Sequence, residues 1–122
     1  SHVSYMEDFW LPDEASSLYR RACAVVSCEC HSPIMSIVNE TPAIYLRQPE
    51  DTIKGRMYPD LGLTDWMFEI DSSTGDEIAD ALMNVYGKPH ETGEMIQNAL
   101  SIANQRFARV FEYIRHVLDL PS

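Results

Sequence analysis

Three short apolar runs alternate with helical patterns along the chain, and this alternation restricts the fold more than any other feature of the sequence. The runs occupy residues 23–27, 42–47 and 65–71. Runs of this length that are rich in β-branched and aromatic residues are typical of buried strands. Because a helical pattern separates each run from the next, the sequence predicts βαβ units and a parallel sheet. We therefore expect an α/β fold with a small parallel sheet of three to four strands flanked by helices, residues 3–5 being the candidate fourth strand.

The segments between the strands carry the signals of helix ends. Ser32 and Pro33 have the residue types of a cap and of a first helical position, and Thr74 and Glu77 have capping-box spacing. Apolar residues recur every three or four positions over 96–117, which predicts a long C-terminal helix with one apolar face. The predicted helices are 12–22, 32–39, a segment that begins near 49 and breaks near Pro59, 74–87 and about 91–118.

Composition and charge exclude several classes of protein. The chain has 122 residues, which suits one domain, and its formal net charge of −10 leaves no basic stripe for a nucleic acid. No apolar run approaches the ~20 residues that span a bilayer. The first residues also lack the basic region and apolar stretch of a signal peptide. The three cysteines cannot all pair within one chain, so we expect a reducing, cytoplasmic location.

Polar and reactive side chains follow each predicted strand. In an open parallel sheet, ligands bind beyond the carboxyl ends of the strands, so these turns are predicted to share one edge. Each turn also leads into a helix, whose free N–H groups attract phosphate or carboxylate. The sequence therefore predicts an anion-binding cradle at this edge. The residues that the three strands deliver are Cys28–Ser32, then Arg47, Gln48, Asp51, Thr52 and Lys54, then Asp71–Ser73.

Each of these side chains also has an ordinary structural explanation. His31 suits a cap or a buried, hydrogen-bonded histidine, and the charged residues Glu29 and Lys54 suit a solvated surface. Arg47 suits an ion pair with one of the acids that follow it, Glu50 or Asp51.

The cluster Cys28–His31 contains two cysteines, a glutamate and a histidine. Thiolate and imidazole suit zinc, but no cysteine lies downstream, and neither His90 nor His116 has a partner at ligand spacing. No metal site is therefore predicted. A cysteine nucleophile directly beside His31 is poor geometry, because catalytic Cys and His usually meet through the fold. The sequence also lacks a Gly-rich phosphate loop, a G-x-S-x-G elbow and an HExxH motif, and no cofactor is predicted.

The run RRACAVVSCECHSPIMSIVNETPAIYLRQPEDTIKGRMYPDLGLTDWMFEID resembles the C-terminal half of the polysaccharide pyruvyl transferase family. The pattern of that family has a strand ending in Val-Val-Ser, a short motif ending in His, and a helix. A Gly-x-Pro-like entry to the next strand follows, here residues 40–42, and then a basic helix that leads to Asp-Leu-Gly-Leu, here 54–63. The resemblance covers about residues 12–118. The same half also resembles the C-terminal domains of GT-B glycosyltransferases and sugar-nucleotide epimerases.

The resemblance implies two Rossmann-like domains with the active site in the cleft between them. Such enzymes move a pyruvyl group from phosphoenolpyruvate to a sugar of a cell-surface polysaccharide. The motif histidine is similar in place to His31, where it would contact the donor or serve in acid–base work, and Lys54 matches the basic position of the following helix. The candidate site residues are His31 as the catalytic residue, with Glu29, Ser32, Arg47, Gln48, Thr52 and Lys54 as substrate-binding residues.

One departure from the family pattern affects the choice of donor. The family commonly has Arg-Leu-His where this chain has Glu29, Cys30 and His31. Arginine there would hold the donor anion, whereas Glu29 would repel it, so either Arg47 takes over the anion or the donor differs. A carboxylate at a sheet edge commonly holds ribose or sugar hydroxyls, which would favour a nucleotide-sugar enzyme, either a GT-B glycosyltransferase or a sugar-nucleotide 2-epimerase. A non-catalytic domain that dimerises through its sheet edge is the third hypothesis.

The expected protein is thus a single Rossmann-like C-terminal domain, residues 1–122, of a two-domain transferase of exopolysaccharide synthesis. Its expected partners are a phosphoenolpyruvate or nucleotide-sugar donor, a saccharide acceptor, and either a missing N-terminal domain or a homodimer partner. Neither a nucleic acid nor a membrane span is expected. A chain that supplies one wall of a cleft is expected to be inactive by itself.

Overall fold

A computed structural model describes residues 2–119 of the chain as an α/β fold. Two short 3-10 helices, at Ile53–Arg56 and Thr64–Trp66, flank the third α-helix. The α-helices and strands, in chain order, are α1 (Pro12–Arg21), β1 (Val25–Ser27), α2 (His31–Val38), β2 (Ala43–Arg47), α3 (Met57–Asp60), β3 (Met67–Glu69), α4 (Gly75–Gly87) and α5 (Pro89–Val117).

The three strands form one parallel sheet in the order β1-β2-β3. Val26 of β1 pairs with Ile44 of β2, and Leu46 of β2 pairs with Phe68 of β3. The predicted parallel sheet is therefore confirmed, with three strands. The candidate fourth strand at residues 3–5 is wrong, because this segment is irregular and its side chains, such as Val3, face solvent instead of packing against the sheet.

The central strand β2 lies in the middle of the hydrophobic core. Ile44 and Tyr45 are neighbours in β2, so their side chains point to opposite faces of the sheet, and both are fully buried. The strand itself lies between β1 and β3. The ring of Tyr58 packs edge-on against Tyr45, with 5.5 Å between the ring centroids, and its hydroxyl donates to the carbonyl of Ala43. The other core residues are Cys30, Ile37, Leu63, Trp66, Val85, Ile96 and Ala99.

The helix predictions hold for four of the five helices, and the bounds differ by a few residues. The capping box of α4 is present, since Thr74 Oγ1 accepts from the Glu77 N–H at 3.2 Å and Glu77 Oε2 accepts from the Thr74 N–H at 3.0 Å. The segment after β2 forms a 3-10 turn and then the four-residue helix α3, with Pro59 inside it. This segment ends at Gly62, whose φ of 73° suits a residue without a side chain.

The long helix α5 packs against the core only through its first half. Its buried residues are Thr92, Ile96 and Ala99, whereas the side chains after residue 102 are almost all exposed. No helix within residues 2–119 combines the length and the apolar character that a membrane crossing requires.

Candidate functional site

The candidate site lies at the carboxyl edge of the sheet. The strand β1 ends at Ser27 and leads through a short turn into α2, and the neighbouring strand β2 ends at Arg47. Because β1 and β2 are parallel and adjacent, the turn that carries His31 and the residue Arg47 lie at the same edge.

Glu29 caps the first turn of α2. Its Oε2 accepts from the backbone N–H of His31 at 2.8 Å and from that of Ser32 at 3.0 Å. Ser27 shapes the turn, because its hydroxyl accepts from the Glu29 N–H at 3.0 Å. The prediction that Ser32 caps the helix and Pro33 begins it is therefore wrong. The helix begins at His31, since the longer Glu29 side chain can reach free N–H groups two and three residues ahead.

The second oxygen of Glu29 holds the ring of His31. Glu29 Oε1 lies 2.6 Å from His31 Nδ1. Hydrogen bonds also set the charge of this carboxyl. Burial acts to raise the pKa of Glu29, but the N–H groups of His31 and Ser32 and the side chains of His31 and Cys30 outweigh it and lower the pKa to about 2. Glu29 is therefore ionised at neutral pH and can only accept, so His31 Nδ1 must donate.

This contact orients a histidine that is open to solvent. The side chain of His31 is 78% exposed and that of Glu29 is 56% exposed. When the ring is neutral and Nδ1 carries the proton, Nε2 has a free lone pair. A carboxylate that holds Nδ1–H in this way prepares the opposite nitrogen for proton transfer.

Cys30 lies beneath this pair, and it is buried. Its Sγ is 3.5 Å from Glu29 Oε1 and 3.8 Å from His31 Nδ1. Burial raises the pKa of the Cys30 thiol, the hydrogen bond to Glu29 and its charge raise it further, and the charge of Lys54 acts in the opposite direction. The thiol is therefore protonated at neutral pH and is a poor nucleophile.

Arg47 is held by an acid of the neighbouring strand. Its Nη1 lies 2.9 Å and 3.0 Å from the two carboxylate oxygens of Glu69, which is its direct register partner in β3. The alternative explanation of Arg47 as an ion-paired residue is thus right about the ion pair, but the acid is Glu69 and not Glu50 or Asp51. Gly55 lies where the Arg47 side chain passes, and a Cβ at that position would collide with the guanidinium and with Cδ. Glycine at residue 55 therefore leaves room for the Arg47–Glu69 pair.

The loop after β2 is fixed by Asp51. Its Oδ2 accepts from the hydroxyl of Tyr45 at 2.7 Å and from the backbone N–H of Gln48 at 3.1 Å. These two hydrogen bonds lower the pKa of Asp51, with Tyr45 contributing most. Thr52 and Lys54 follow in this loop and in the 3-10 turn, and both are exposed. The loop thus presents Lys54 to solvent beside Asp51, whose carboxylate is already engaged.

The seven predicted site residues fall into two groups. Glu29, His31 and Ser32 share one hydrogen-bonded cluster at the start of α2. The others belong to the end of β2 and the loop after it: Arg47, Gln48, Thr52 and Lys54. Sequence reasoning missed Glu69, because it placed the end of the third strand at Asp71. Arg47 and Glu69 carry opposite charges and lie near the ends of two neighbouring strands, and this pattern could have indicated the pair.

Comparisons with protein-family models, with curated proteins and with solved structures found no match.

Proposed function

We propose that this chain supplies one wall of the active site of a polysaccharide pyruvyl transferase-like enzyme, with His31 as its acid–base residue. In this proposal the chain is the Rossmann-like, C-terminal half of a GT-B-type enzyme of surface-polysaccharide synthesis. The observation that carries the proposal is the 2.6 Å contact between Glu29 Oε1 and His31 Nδ1 at the carboxyl edge of a parallel sheet. This is the edge at which open α/β sheets bind their ligands.

The chemistry of pyruvyl transfer needs a group of this kind. When a sugar hydroxyl adds to the enol carbon of phosphoenolpyruvate, the hydroxyl loses a proton and the methylene carbon gains one. The free Nε2 of His31 can accept the first proton, and the ring can then donate one to the methylene carbon. Phosphate then leaves the former enol carbon as a second hydroxyl of the sugar takes its place, and the proton of that hydroxyl goes to the departing phosphate. The Glu29 carboxylate stabilises the charged imidazolium between these steps, because it lies against Nδ1.

The donor anion needs positive charge from elsewhere in the site. Glu29 occupies the N–H groups of His31 and Ser32 that a phosphate would otherwise use. We assign this role to Arg47 and Lys54. One nitrogen of Arg47 is engaged by Glu69, so the donor would share or displace that contact.

Both oxygens of Glu29 already have donors within the chain. This weighs against the nucleotide-sugar alternative, in which Glu29 would accept from ribose or sugar hydroxyls. Uridine diphosphate is therefore the competing ligand in the test below.

Binding is the sharpest test, because a single wall of a cleft is not expected to turn over. Phosphoenolpyruvate is titrated into 15N-labelled protein. Its dissociation constant is taken from the chemical-shift changes of the backbone amide signals at positions 31 and 47, which the alanine variants retain. We expect Arg47→Ala and His31→Ala to weaken binding at least tenfold. The matched controls are His90→Ala and Arg106→Ala, which remove a histidine that contacts Glu94 and an arginine that contacts Asp60, both outside the candidate site.

Three results would contradict the proposal. They are no saturable binding of phosphoenolpyruvate, equal weakening by the control variants, and tight binding of uridine diphosphate that is lost in Glu29→Ala. The last would favour the nucleotide-sugar enzyme.

A non-catalytic association domain is a second candidate, favoured by the second half of α5. Apolar side chains follow one another there at helical spacing and are exposed. Analytical ultracentrifugation would support this function if the protein is a tight homodimer that binds neither ligand. The exposed apolar residues are Phe107, Val110, Phe111, Ile114 and Val117.

A further inference from the structure

Three metal-binding side chains converge at the turn between β1 and α2. The donor atoms are Oε1 of Glu29, Sγ of Cys30 and Nδ1 of His31, and they all lie within 4.8 Å of one another. We propose that these three side chains form a zinc site that is occupied when Zn²⁺ replaces the protons that now lie between them. This goes beyond the proposed function and does not depend on it.

The spacing of the donor atoms fits a zinc ion. The separations are 2.6 Å between Oε1 and Nδ1, 3.5 Å between Sγ and Oε1, and 3.8 Å between Sγ and Nδ1. The circle through these three atoms has a radius of about 2.0 Å, close to the Zn–N and Zn–O bond lengths in proteins. A displacement of the ion out of their plane, together with a slight shift away from Sγ, gives the longer Zn–S bond. Only the oxygen–nitrogen separation must open, to roughly 3.3 Å for a tetrahedral ion.

The donor set selects the class of ion. A thiolate with an imidazole suits zinc and other borderline or soft cations, whereas calcium and magnesium prefer sites made of oxygen atoms alone. Sequence spacing gave no metal site because only cysteines and histidines were counted as ligands. The structure adds the carboxylate of Glu29 as the third ligand. Three protein ligands leave a fourth position open to water or to another molecule.

The surroundings hold two of the ligands in place. The other oxygen of Glu29 is fixed by the N–H groups of His31 and Ser32, an outer contact that orients the ligating oxygen. Cys30 is buried and packed in the core. His31 is mostly exposed, so its ring can rotate by the small amount that the ion requires. The charge of the exposed Lys54 acts on Cys30, and it disfavours the binding of a cation there.

Occupation has a defined chemical consequence. The thiol of Cys30 releases its proton to solvent, and Sγ binds the ion as a thiolate. The proton on Nδ1 of a neutral His31 leaves, and Nε2 takes up a proton from solvent. Nε2 of His31, which had a free lone pair before the ion was bound, then carries a proton. Zinc would therefore remove the base that the proposed function assigns to His31.

The test uses Co²⁺, which reports on its own ligands, and protein without a polyhistidine tag. We expect the visible bands of tetrahedral Co²⁺ and a near-ultraviolet thiolate-to-cobalt band at one equivalent of metal, with Zn²⁺ displacing the cobalt. Cys30→Ser should abolish the charge-transfer band. His31→Ala and Glu29→Gln should each weaken binding at least tenfold. Circular dichroism checks that each variant is folded.

Two matched controls use the same residue types at other places. Cys28→Ser removes the exposed thiol two residues away, and His90→Ala removes the histidine that contacts Glu94. Both should keep the affinity within twofold of the original. The proposal is overturned if no thiolate band appears, if the band survives in Cys30→Ser, or if either control loses the site. The two proposals are tested independently. A protein that does not bind phosphoenolpyruvate can still have the zinc site, and a protein without the cobalt spectrum can still have the proposed function.

Discussion

Removal of the Glu29 carboxylate tests the local architecture of the site before any ligand is considered. The substitution Glu29→Ala leaves two backbone N–H groups at the start of α2 without their acceptor and releases the ring of His31. It also removes a negative charge from the positive end of a helix. We therefore expect a loss of stability that is large for a side chain that is 56% exposed.

The size of this loss follows from three sources. Loss of an N-terminal cap costs about 0.5–2 kcal/mol, and loss of the charge at the helix end costs about 0.3–1 kcal/mol. The fall in the pKa of Glu29 from 4.5 to about 2 corresponds to about 3 kcal/mol before any allowance for solvent. Because the carboxylate is half exposed, we discount that value to about 1 kcal/mol. The three sources describe the same contacts, so we expect about 1–2 kcal/mol in total.

The assay is urea unfolding of the original protein and of Glu29→Ala, followed by circular dichroism. At pH 7 the free energy of unfolding should fall by about 1–2 kcal/mol, and a thermal melt should show a fall in Tm of roughly 4–8 °C. The folded-state pKa of Glu29 lies below its ordinary value of 4.5. Its stabilisation is therefore complete above about pH 5.5 and is lost as the pH falls through about 2, so the two proteins should converge in acid.

The control is Glu50→Ala, which removes the same charge from an exposed turn and should change stability by less than about 0.5 kcal/mol. Two results would refute the reasoning. One is a loss at pH 7 as small as that of the control. The other is a loss that stays constant from pH 7 down to about pH 2.5, since linkage requires it to shrink.

Three further substitutions test other parts of the structure, with urea unfolding as the common measurement. Gly55→Ala should displace Arg47 from its ion pair and reduce phosphoenolpyruvate binding as much as Arg47→Ala does, while stability changes by no more than about 1 kcal/mol; unchanged binding would contradict the placement of Arg47. Thr74→Ala should cost about 1 kcal/mol by removing the cap of α4, and no loss would refute that cap. Glu40 has a φ of 61° and accepts a hydrogen bond from Gln97 at 2.7 Å, so Glu40→Gly should be more stable by about 0.5–1 kcal/mol than Glu40→Ala, which lacks the same bond; a glycine variant less stable than the alanine variant would contradict strain there.

The sheet could be predicted from the sequence because its signal is local. Each strand is a short apolar run, and the helical patterns between the runs leave a parallel arrangement as the simple solution. Residues 3–5 show the limit of this reasoning. Val3 and Tyr5 have strand-forming side chains, yet the segment is irregular and both side chains are exposed, so it has no buried face of the kind that favours a strand.

The site was harder to predict, because its contacts depend on the length of individual side chains and on the register in which the strands pair. The cap of α2 was assigned to Ser32 by residue type, yet the longer side chain of Glu29 reaches the same N–H groups from outside the helix. The partner of Arg47 lies 22 residues away along the chain. Glu69 becomes its neighbour only when β2 and β3 pair in register, which no local pattern specifies.

The state of the His31 ring tests the central claim most directly. At a pH where the ring is neutral, 15N NMR shows which nitrogen carries the proton. Glu29 contacts Nδ1 of His31, whereas Glu94 contacts Nε2 of His90, so the two rings should hold opposite tautomers in one spectrum. We predict a proton on Nδ1 of His31 that is lost in favour of Nε2 in Glu29→Ala. A proton on Nε2 of His31 in the original protein would contradict the account, because that nitrogen would then have no lone pair with which to act as a base.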